Sequence, residues 1–438
     1  MKVLIVSHNT IGPSTNLGIT LASTFEAFDP AQLAQLYVRN ELPTSGSCGS
    51  SYRITDKDAM KGVFTRRVAG KEFQPAHLPP APPQSLSQNA LEKVRMLRRN
   101  PLMDMGRELY WALSPWKNKA LRNWLQKVDP DVIFYAAGDY AFSFQIALYA
   151  ARELNRPLVV ACYDDFFFYV KNGKSLLGRL RHALYMRTVK KTMAYASGIV
   201  TICDAMARDY AEYFQKPCTV LYTPAPGKLT PPAGSGNTVA YFGTLGLGRD
   251  DQLAAIGRAV AATGAQTGIG HIDVYTWEKR EEALAKMTPE NGVLLHPAVS
   301  REEVRRILSH CAAVIHTESF DDVLRERVRY SISTKIPEAL AYGPCLLAYG
   351  PAEAASIAYL EENRAAWVIT RQEDLERGVL ELLTDQAARQ ETVRRARQLA
   401  RENHDAAVNT QRLNRCFEAA IRESRQRAQE EKKAGRQK

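Results

Sequence analysis

The 438-residue sequence lacks any apolar run of the roughly 18 residues that a membrane-spanning helix needs. Its apolar start, MKVLIVSHNT, is too short for a secretory signal and fits a strand better. Cysteine is sparse and unpaired in pattern. Seven are scattered at 48, 162, 203, 218, 311, 345 and 416, with no C-x-x-C spacing and an odd count. That excludes a disulfide frame and a zinc site, and points to reduced core thiols in a cytoplasmic protein. No G-x-G-x-x-G follows any strand, which disfavours a dinucleotide cofactor. No nucleic-acid motif accompanies the net charge of +11, so nucleic acid is not an expected partner. The basic excess instead suits a solvated surface or an anionic lipid or glycan surface.

What is present is a repeated alternation. The length exceeds one core and suits two domains of about 200 residues each. Apolar runs of the buried parallel-strand type occur at residues 2–7, 32–38, 131–136, 158–163, 198–203 and 219–224. They recur at residues 239–244, 271–276, 292–298, 312–317, 345–350 and 365–370, with helical segments between. The Pro-, Gly- and Ser-rich stretch PAPGKLTPPAGSGN separates the two series. The expected fold class is therefore α/β, with two Rossmann-like doubly wound parallel sheets.

The expected domains are residues 1–225, completed by a helix at about 405–425, and residues 238–404. Residues 226–237 are the linker and 426–438 a charged, frayed tail. Residues 40–85, with HLPPAPPQ at 77–84, read as irregular. Residues 88–128 read as helices in which Arg95, Arg98, Arg99, Arg107, Lys117, Lys119 and Arg122 interleave with Trp111, Trp116 and Trp124. Such helices either lie on anionic lipid or simply cover the sheet.

Three places carry chemistry. Gly12 and Gly18 bracket the loop after the first strand and let backbone approach a ligand, or merely make a turn. Asp164 and Asp165 end a strand and can accept a sugar-hydroxyl proton, or else cap a loop. They do not suffice as a metal site. The most informative stretch is SISTKIPEALAYGPCLLAYGP, residues 331–351. Ser333 or Thr334 can cap a short helix, Pro337 suits its first turn, and Gly343 stops it in a left-handed conformation before a buried strand. Free N–H groups at the helix start, the Lys335 charge and the Glu338 carboxylate suit a phosphate and sugar hydroxyls. Gly243 opens the mirrored glycine loop of the second half, and Arg249 there can meet a diphosphate with two parallel donors.

These residues give the chain a resemblance. The layout looks like the GT-B fold, two domains facing a cleft, and the second half resembles the family-four retaining glycosyltransferases. The ESF…STKIPEALAYGPCLLAYGP region is similar to that family's signature. TSGSCGSSYRIT and the helical block before PDVIF are similar to bacterial members that build capsular or exopolysaccharides. The resemblance implies that Glu338 holds the donor ribose. It implies that Ser333, Thr334 and Lys335 hold the diphosphate or donor sugar, and that Arg249 stands where the family has a phosphate-binding lysine. It also puts the acceptor against the Gly12–Gly18 loop and the loop at residues 163–169. Two positions depart from the pattern: Tyr330 replaces the first glutamate, and Thr244 replaces an arginine.

The expected reaction is sugar transfer from a nucleotide-diphosphate sugar to a glycan or lipid-linked glycan, with retention, at the inner face of the cell membrane. Asp164, Asp165 and Lys335 are the catalytic candidates. Lys335 and Arg249 can offset the leaving-group charge, so no metal or other cofactor is expected. The rivals are a catalytically inactive GT-B relative that scaffolds polysaccharide assembly and a GT-B-type sugar epimerase.

Overall fold

The computed structural model describes residues 1–68, 70–74, 101–168, 175–225 and 236–436. The stretch at 77–84, Arg95, Arg98, Arg99 and most of the 226–237 linker lie outside the described residues. The chain divides into two compact units. Unit 1 comprises Met1–Ile202, Met206–Leu221 and Asn409–Lys438; unit 2 comprises Cys203–Ala205 and Tyr222–Val408.

Unit 1 is built on an eight-stranded sheet. Its strands are β1 (Val3–Ser7), β2 (Leu33–Tyr37), β3 (Ser50–Arg53), β4 (Lys71–Phe73), β5 (Val132–Ala136), β6 (Leu158–Ala161), β7 (Gly198–Thr201) and β8 (Cys218–Val220). Their spatial order is β4-β3-β2-β1-β5-β6-β7-β8. Val3 pairs with Leu33 on one side and Val132 on the other, both in parallel. All five residues of β1 and of β5 are buried, as expected where helices cover both faces. The edge strand β4 runs antiparallel to β3, which the expectation of a purely parallel sheet missed. Both strands fall in the stretch expected to be irregular.

Four helices of unit 1 matter below: α1 (Asn16–Thr24), α2 (Asp56–Thr65), α3 (Pro101–Leu113) and α4 (Lys119–Val128). They are followed by α5 (Ala141–Leu154), α6 (Leu176–Tyr195) and α7 (Asp204–Phe214). Trp111, Trp116 and Trp124 are at most 3% exposed, so their indoles belong to the core and not to a lipid-facing surface. Arg107 also turns inward: its Nε and Nη2 donate to the Asp56 carboxylate at 3.0 and 2.8 Å.

Unit 2 holds a six-stranded parallel sheet. Its strands are β9 (Thr238–Phe242), β10 (Ile272–Thr276), β11 (Val293–Pro297), β12 (Cys311–Thr317), β13 (Cys345–Tyr349) and β14 (Trp367–Ile369), in the order β11-β10-β9-β12-β13-β14. Its helices include α8 (Arg249–Thr267), α9 (Glu281–Leu284), α10 (Arg301–Leu308), α11 (Asp322–Val328) and α12 (Ile336–Tyr342). The chain then forms α13 (Ala355–Glu362), α14 (Leu375–Thr384), α15 (Gln386–Asn403) and α16 (Ala406–Arg436).

Leu413, Phe417 and Ala420 of α16 are packed into the core of unit 1. The charged end does not fray after residue 425: α16 continues to Arg436. Ion pairs at i,i+4 spacing, Glu418–Arg422 and Glu423–Arg427, lie along its middle turns. All seven cysteines are free thiols.

Candidate functional site

In the second sheet β9 and β12 are neighbours, although β10 and β11 separate them in the chain. The chain leaves β9 toward one edge and returns at β12 to fill the other. Such a reversal opens a crevice beyond the C-terminal ends of the two strands, where α/β proteins bind ligands. Gly243 directly follows β9, and Glu318 directly follows β12. The residues that converge here come from four separate stretches of unit 2.

Lys335 is the first. Its Nζ donates to the Phe242 carbonyl at 2.6 Å, across 93 residues of chain. It also lies 5.5 Å from the centre of the Tyr241 ring. Gly243 makes this approach practicable. Its φ is +147°, and a Cβ there would stand 1.8 Å from the Lys335 ammonium. Although Lys335 as a residue is exposed, burial of its ammonium and the nearby Arg249 charge bring its pKa down to about 8. The Tyr241 hydroxyl donates to the Thr244 carbonyl at 2.6 Å and braces the loop from below. Further along, Leu247 has φ 64°, a left-handed conformation that costs a bulky residue roughly 1 kcal/mol or more.

Arg249, the first residue of α8, sits opposite. Its Nη2 meets both oxygens of Glu318, at 3.1 and 3.2 Å, and its Nε donates to the Thr317 carbonyl at 3.2 Å. The guanidinium face expected to meet a diphosphate is thus spent on a carboxylate, because a nearly dry Glu318, 1% exposed, needs a counter-charge. Its Nη1 has no hydrogen-bond partner among the described residues. Burial pushes the Glu318 carboxyl pKa up, and Arg249 opposes that shift. His316 lies 3.6 Å from Glu318 and bonds Ser356 Oγ at 2.9 Å. Burial, Arg249 and Lys335 push His316 down to about 3, so its ring is neutral near pH 7. With Arg249 and Glu318 cancelling, Lys335 supplies the net charge of the corner.

The stretch at residues 331–351 departs from expectation at both ends of its helix. Neither Ser333 nor Thr334 caps α12. Lys335 occupies the cap position, without a side-chain cap bond. Ser333 instead shapes the turn, its Oγ accepting from the Lys335 N–H at 3.4 Å and its carbonyl from Ile336 at 3.0 Å. Gly343 is extended, with φ −75° and ψ 170°, and not left-handed. It is glycine for another reason: a Cβ would lie 2.6 Å from the Ala339 carbonyl oxygen. The helix has seven residues, so its N-terminal dipole is small beside the Lys335 charge. Glu338, in its first turn, is 3.9 Å from Arg305 Nε, beyond hydrogen-bond reach, and its carboxylate keeps its acceptor capacity. Tyr330 is buried, 3% exposed.

The other expected site residues lie in unit 1. Asp165 Oδ1 accepts from the Phe167 and Phe168 N–H groups at 3.0 Å each and from the Tyr210 hydroxyl at 3.1 Å. Asp164 Oδ1 accepts from the Asp165 N–H at 2.9 Å. These bonds make Asp165 the acceptor that shapes its own loop. Gly12 has φ +144°, and a Cβ would stand 1.9 Å from Thr44 Oγ1. Gly18 lets α1 close on the loop, since a Cβ would lie 2.6 Å from the carbonyls of Thr10 and Gly12.

Sequence reasoning missed Gln35, which is fully buried. It donates to Ser7 Oγ and to the Asn9 carbonyl, both at 2.9 Å, and accepts from the Ile11 N–H at 3.1 Å, fixing the loop after β1. An amide in the middle of the apolar strand LAQLY is its only sequence signal. It also gave no role to His8, which burial and Arg107 hold near pKa 4. Among the described residues no group of three or more His, Cys, Asp and Glu side chains is placed to hold a metal ion.

The chain resembles known proteins in two family models and in fold. Glycosyltransferase Family 4 matches residues 63–225, and the glycosyl transferase-like family matches residues 251–415. No curated protein sequence matches the chain. Among solved structures, HepE of Anabaena in complex with UDP superposes with a TM-score of 0.59 at 12% identity, covering 96% of this chain and 100% of that one. The α,α-trehalose 6-phosphate synthase of Burkholderia multivorans gives 0.56 at 13% identity, covering 98% of each chain. The UDP-forming α,α-trehalose-phosphate synthase of Burkholderia xenovorans, in complex with glucose-6-phosphate, gives 0.54 at 12% identity, covering 95% and 100%. Likeness at such identities speaks to the fold. The chain has the GT-B architecture, and it is related to Glycosyltransferase Family 4 over residues 63–225 and to the glycosyl transferase-like family over residues 251–415.

Proposed function

We propose that the protein transfers a sugar from a nucleotide-diphosphate sugar to a hydroxyl of a glycan or lipid-linked glycan, with retention of anomeric configuration. The observation that carries this reading is the Lys335 ammonium held behind Gly243 at the β9/β12 reversal, with Arg249 beside it. In the transfer the bond between the anomeric carbon and the diphosphate oxygen breaks. A bond from the acceptor oxygen to that carbon forms, and the acceptor proton leaves with the diphosphate or to a base. The departing diphosphate gathers negative charge, which fixed donors already in place stabilise without reorganisation. Lys335 Nζ and the unspent Nη1 of Arg249 are those donors. Glu338 accepts from the ribose hydroxyls. The nucleotide is best taken as a uridine diphosphate, because HepE is solved with UDP and with UDP-glucose.

The test is a panel of UDP-, GDP- and ADP-sugars scored for binding by calorimetry and for hydrolysis. UDP-sugars are expected to bind and to be slowly hydrolysed. Glu338→Ala should weaken binding by about tenfold, the worth of a charge-assisted hydrogen bond. Wild-type binding by that variant would remove Glu338 from the donor site.

The pH dependence has a definite sign. A pyrophosphate diester does not titrate near neutrality, so the titrating group is Lys335, with a free-state pKa of about 8. A bound diphosphate favours the protonated amine and raises that value. Donor affinity is therefore full below pH 8 and falls as pH rises through 8, by up to about tenfold per pH unit. A flat affinity between pH 7 and 9 would mean that Lys335 does not meet the phosphates.

One observation favours a second reading, a non-catalytic scaffold of this fold. The position expected to hold the first glutamate is the buried Tyr330, and the acidic side chain at the end of β12, Glu318, is tied to Arg249. Donor binding without any turnover across an acceptor panel would support it.

A further inference from the structure

Lys335 differs from the other lysines in what holds it. As a residue it is exposed, and its Nζ makes one hydrogen bond among the described residues, to the Phe242 carbonyl. No carboxylate pairs with it there. An acceptor partner takes one N–H and leaves the lone pair of the neutral amine unengaged. Lys286, by contrast, donates to Asp250 and Asp251 at 2.8 and 2.6 Å, and these bonds raise its pKa. Burial lowers the pKa of Lys216, whose Nζ donates to the Ala194 carbonyl at 3.2 Å. Lys216 precedes β8, however, and so lies at the N-terminal edge of its sheet, away from the edge where ligands bind.

The groups facing Lys335 come from α8, β9 and β12. Arg249 and Glu318 pair, His316 is neutral near pH 7, and burial pushes the Tyr241 phenol up to about 12. Burial of the ammonium and the Arg249 charge hold the Lys335 amine at about 8. About half of it is neutral at pH 8, against about 3 in 1,000 for an ordinary lysine. Nucleophilicity falls with basicity, as it does among thiols, which leaves a net advantage of about tenfold. An anion seat adjoins the amine. Arg249 Nη1 has no hydrogen-bond partner among the described residues, and Gly243 clears the space against the ammonium, where a Cβ would stand at 1.8 Å. A small phosphate ester seated on Arg249 brings its other substituent to the Lys335 nitrogen.

We propose that Lys335 is a modification site, acylated at Nζ by acyl phosphates, the mixed anhydrides of carboxylic and phosphoric acid. The neutral amine attacks the carbonyl carbon and an N–C bond forms. The C–O bond to phosphorus's oxygen breaks, phosphate leaves with the electron pair, and the amine proton passes to water. A neutral amide then replaces the one net positive charge of the corner. The consequence, which rests on the donor-site reading, is regulatory. Acylation removes the main cation of the diphosphate seat and fills the space that Gly243 clears, so donor affinity falls while the fold stays as it is.

The test is incubation of the full-length protein with acetyl phosphate at pH 8, with acetyl occupancy followed lysine by lysine by peptide mass spectrometry. Lys335 is expected to react about tenfold faster than the median lysine and faster than Lys216, with Lys286 among the slowest. Its rate should level off above about pH 8, whereas ordinary lysines accelerate to about pH 10. N-hydroxysuccinimidyl acetate, an acetylating reagent without a phosphate to seat, should shrink its lead over Lys216. Saturating UDP should slow the reaction at Lys335 by about tenfold and leave Lys216 unchanged. The acetylated protein, and Lys335→Gln as its stand-in free of acetylation elsewhere, should bind UDP about ten- to a hundredfold more weakly at an unchanged melting temperature. Reaction of Lys335 no faster than the median lysine, or an equal lead with the phosphate-free reagent, would overturn the proposal. Full UDP affinity after acetylation would overturn its regulatory consequence. The two readings fail separately: UDP binding with Lys335 left unmodified removes this inference alone, and selective acetylation of a protein that binds no UDP removes the donor reading alone.

Discussion

Lys335→Ala is expected to weaken nucleotide-sugar binding by about ten- to a hundredfold while leaving the melting temperature almost unchanged. The magnitude is that of one charge-assisted hydrogen bond to phosphate, about 1.5–3 kcal/mol. The split between binding and stability follows from geometry. Among the described residues the ammonium makes one hydrogen bond, to the Phe242 carbonyl, and Lys335 as a residue is exposed. Its lowered pKa shows that the unliganded fold holds the charge at a cost, so removing the charge relieves the protein slightly while depriving the ligand. Lys335→Arg is not a conservative change here. The larger guanidinium has to fit the space that Gly243 clears for a compact ammonium. Titration calorimetry with a UDP-sugar, paired with a thermal melt, separates the two effects. A variant that loses stability and affinity together would assign Lys335 a structural role.

Arg249→Ala should behave oppositely, with stability lost first. It strips the counter-charge from Glu318, a residue 1% exposed whose carboxyl pKa is already shifted upward by burial. Breaking such a pair from one side costs about 3 kcal/mol, because the partner is left uncompensated in a dry place. For a domain of this size that lowers the melting temperature by roughly 6–12 °C. Glu318→Gln is the informative companion. It keeps a hydrogen-bond acceptor near Arg249, removes the competing negative charge and should cost about 1 kcal/mol or less. Donor affinity should then rise, since the guanidinium is released to meet phosphate. If Arg249→Ala melts like the wild type, the pair is not the structural clamp described here.

Much of the architecture was legible because buried parallel strands announce themselves. VLIVS, VIFYA and CLLAY are covered on both faces, and their continuous apolar runs have no other common explanation. Strands β3 and β4 were not legible, since SSYR and KEF are short, polar and near an edge, where one face need not be apolar. The tryptophans of α3 and α4 left two readings open for a related reason. Amphipathic helices over a sheet and helices on lipid share a composition, and only packing shows which face turns inward. Trp111 turned in, stacking 4.4 Å from Phe142, whereas Leu109 and Leu113 turned out.

At the site, Lys335, Arg249 and Gly243 were readable as residue types on loops after strands. Their convergence was not, because it depends on which strand lies beside which. The reversal that sets β9 against β12 is a property of sheet order, and no local pattern records it. The Arg249–Glu318 pair was hidden for the same reason. A buried carboxylate chooses its partner by proximity across the sheet, and the two residues are 69 positions apart.

The most direct measurement is a crystal structure of the protein soaked with UDP. The pyrophosphate is expected within hydrogen-bond distance of Lys335 Nζ and Arg249 Nη1, beyond the ends of β9 and β12, with the ribose hydroxyls at Glu338. Density for the nucleotide elsewhere, with Lys335 still bound only to the Phe242 carbonyl, would contradict the account.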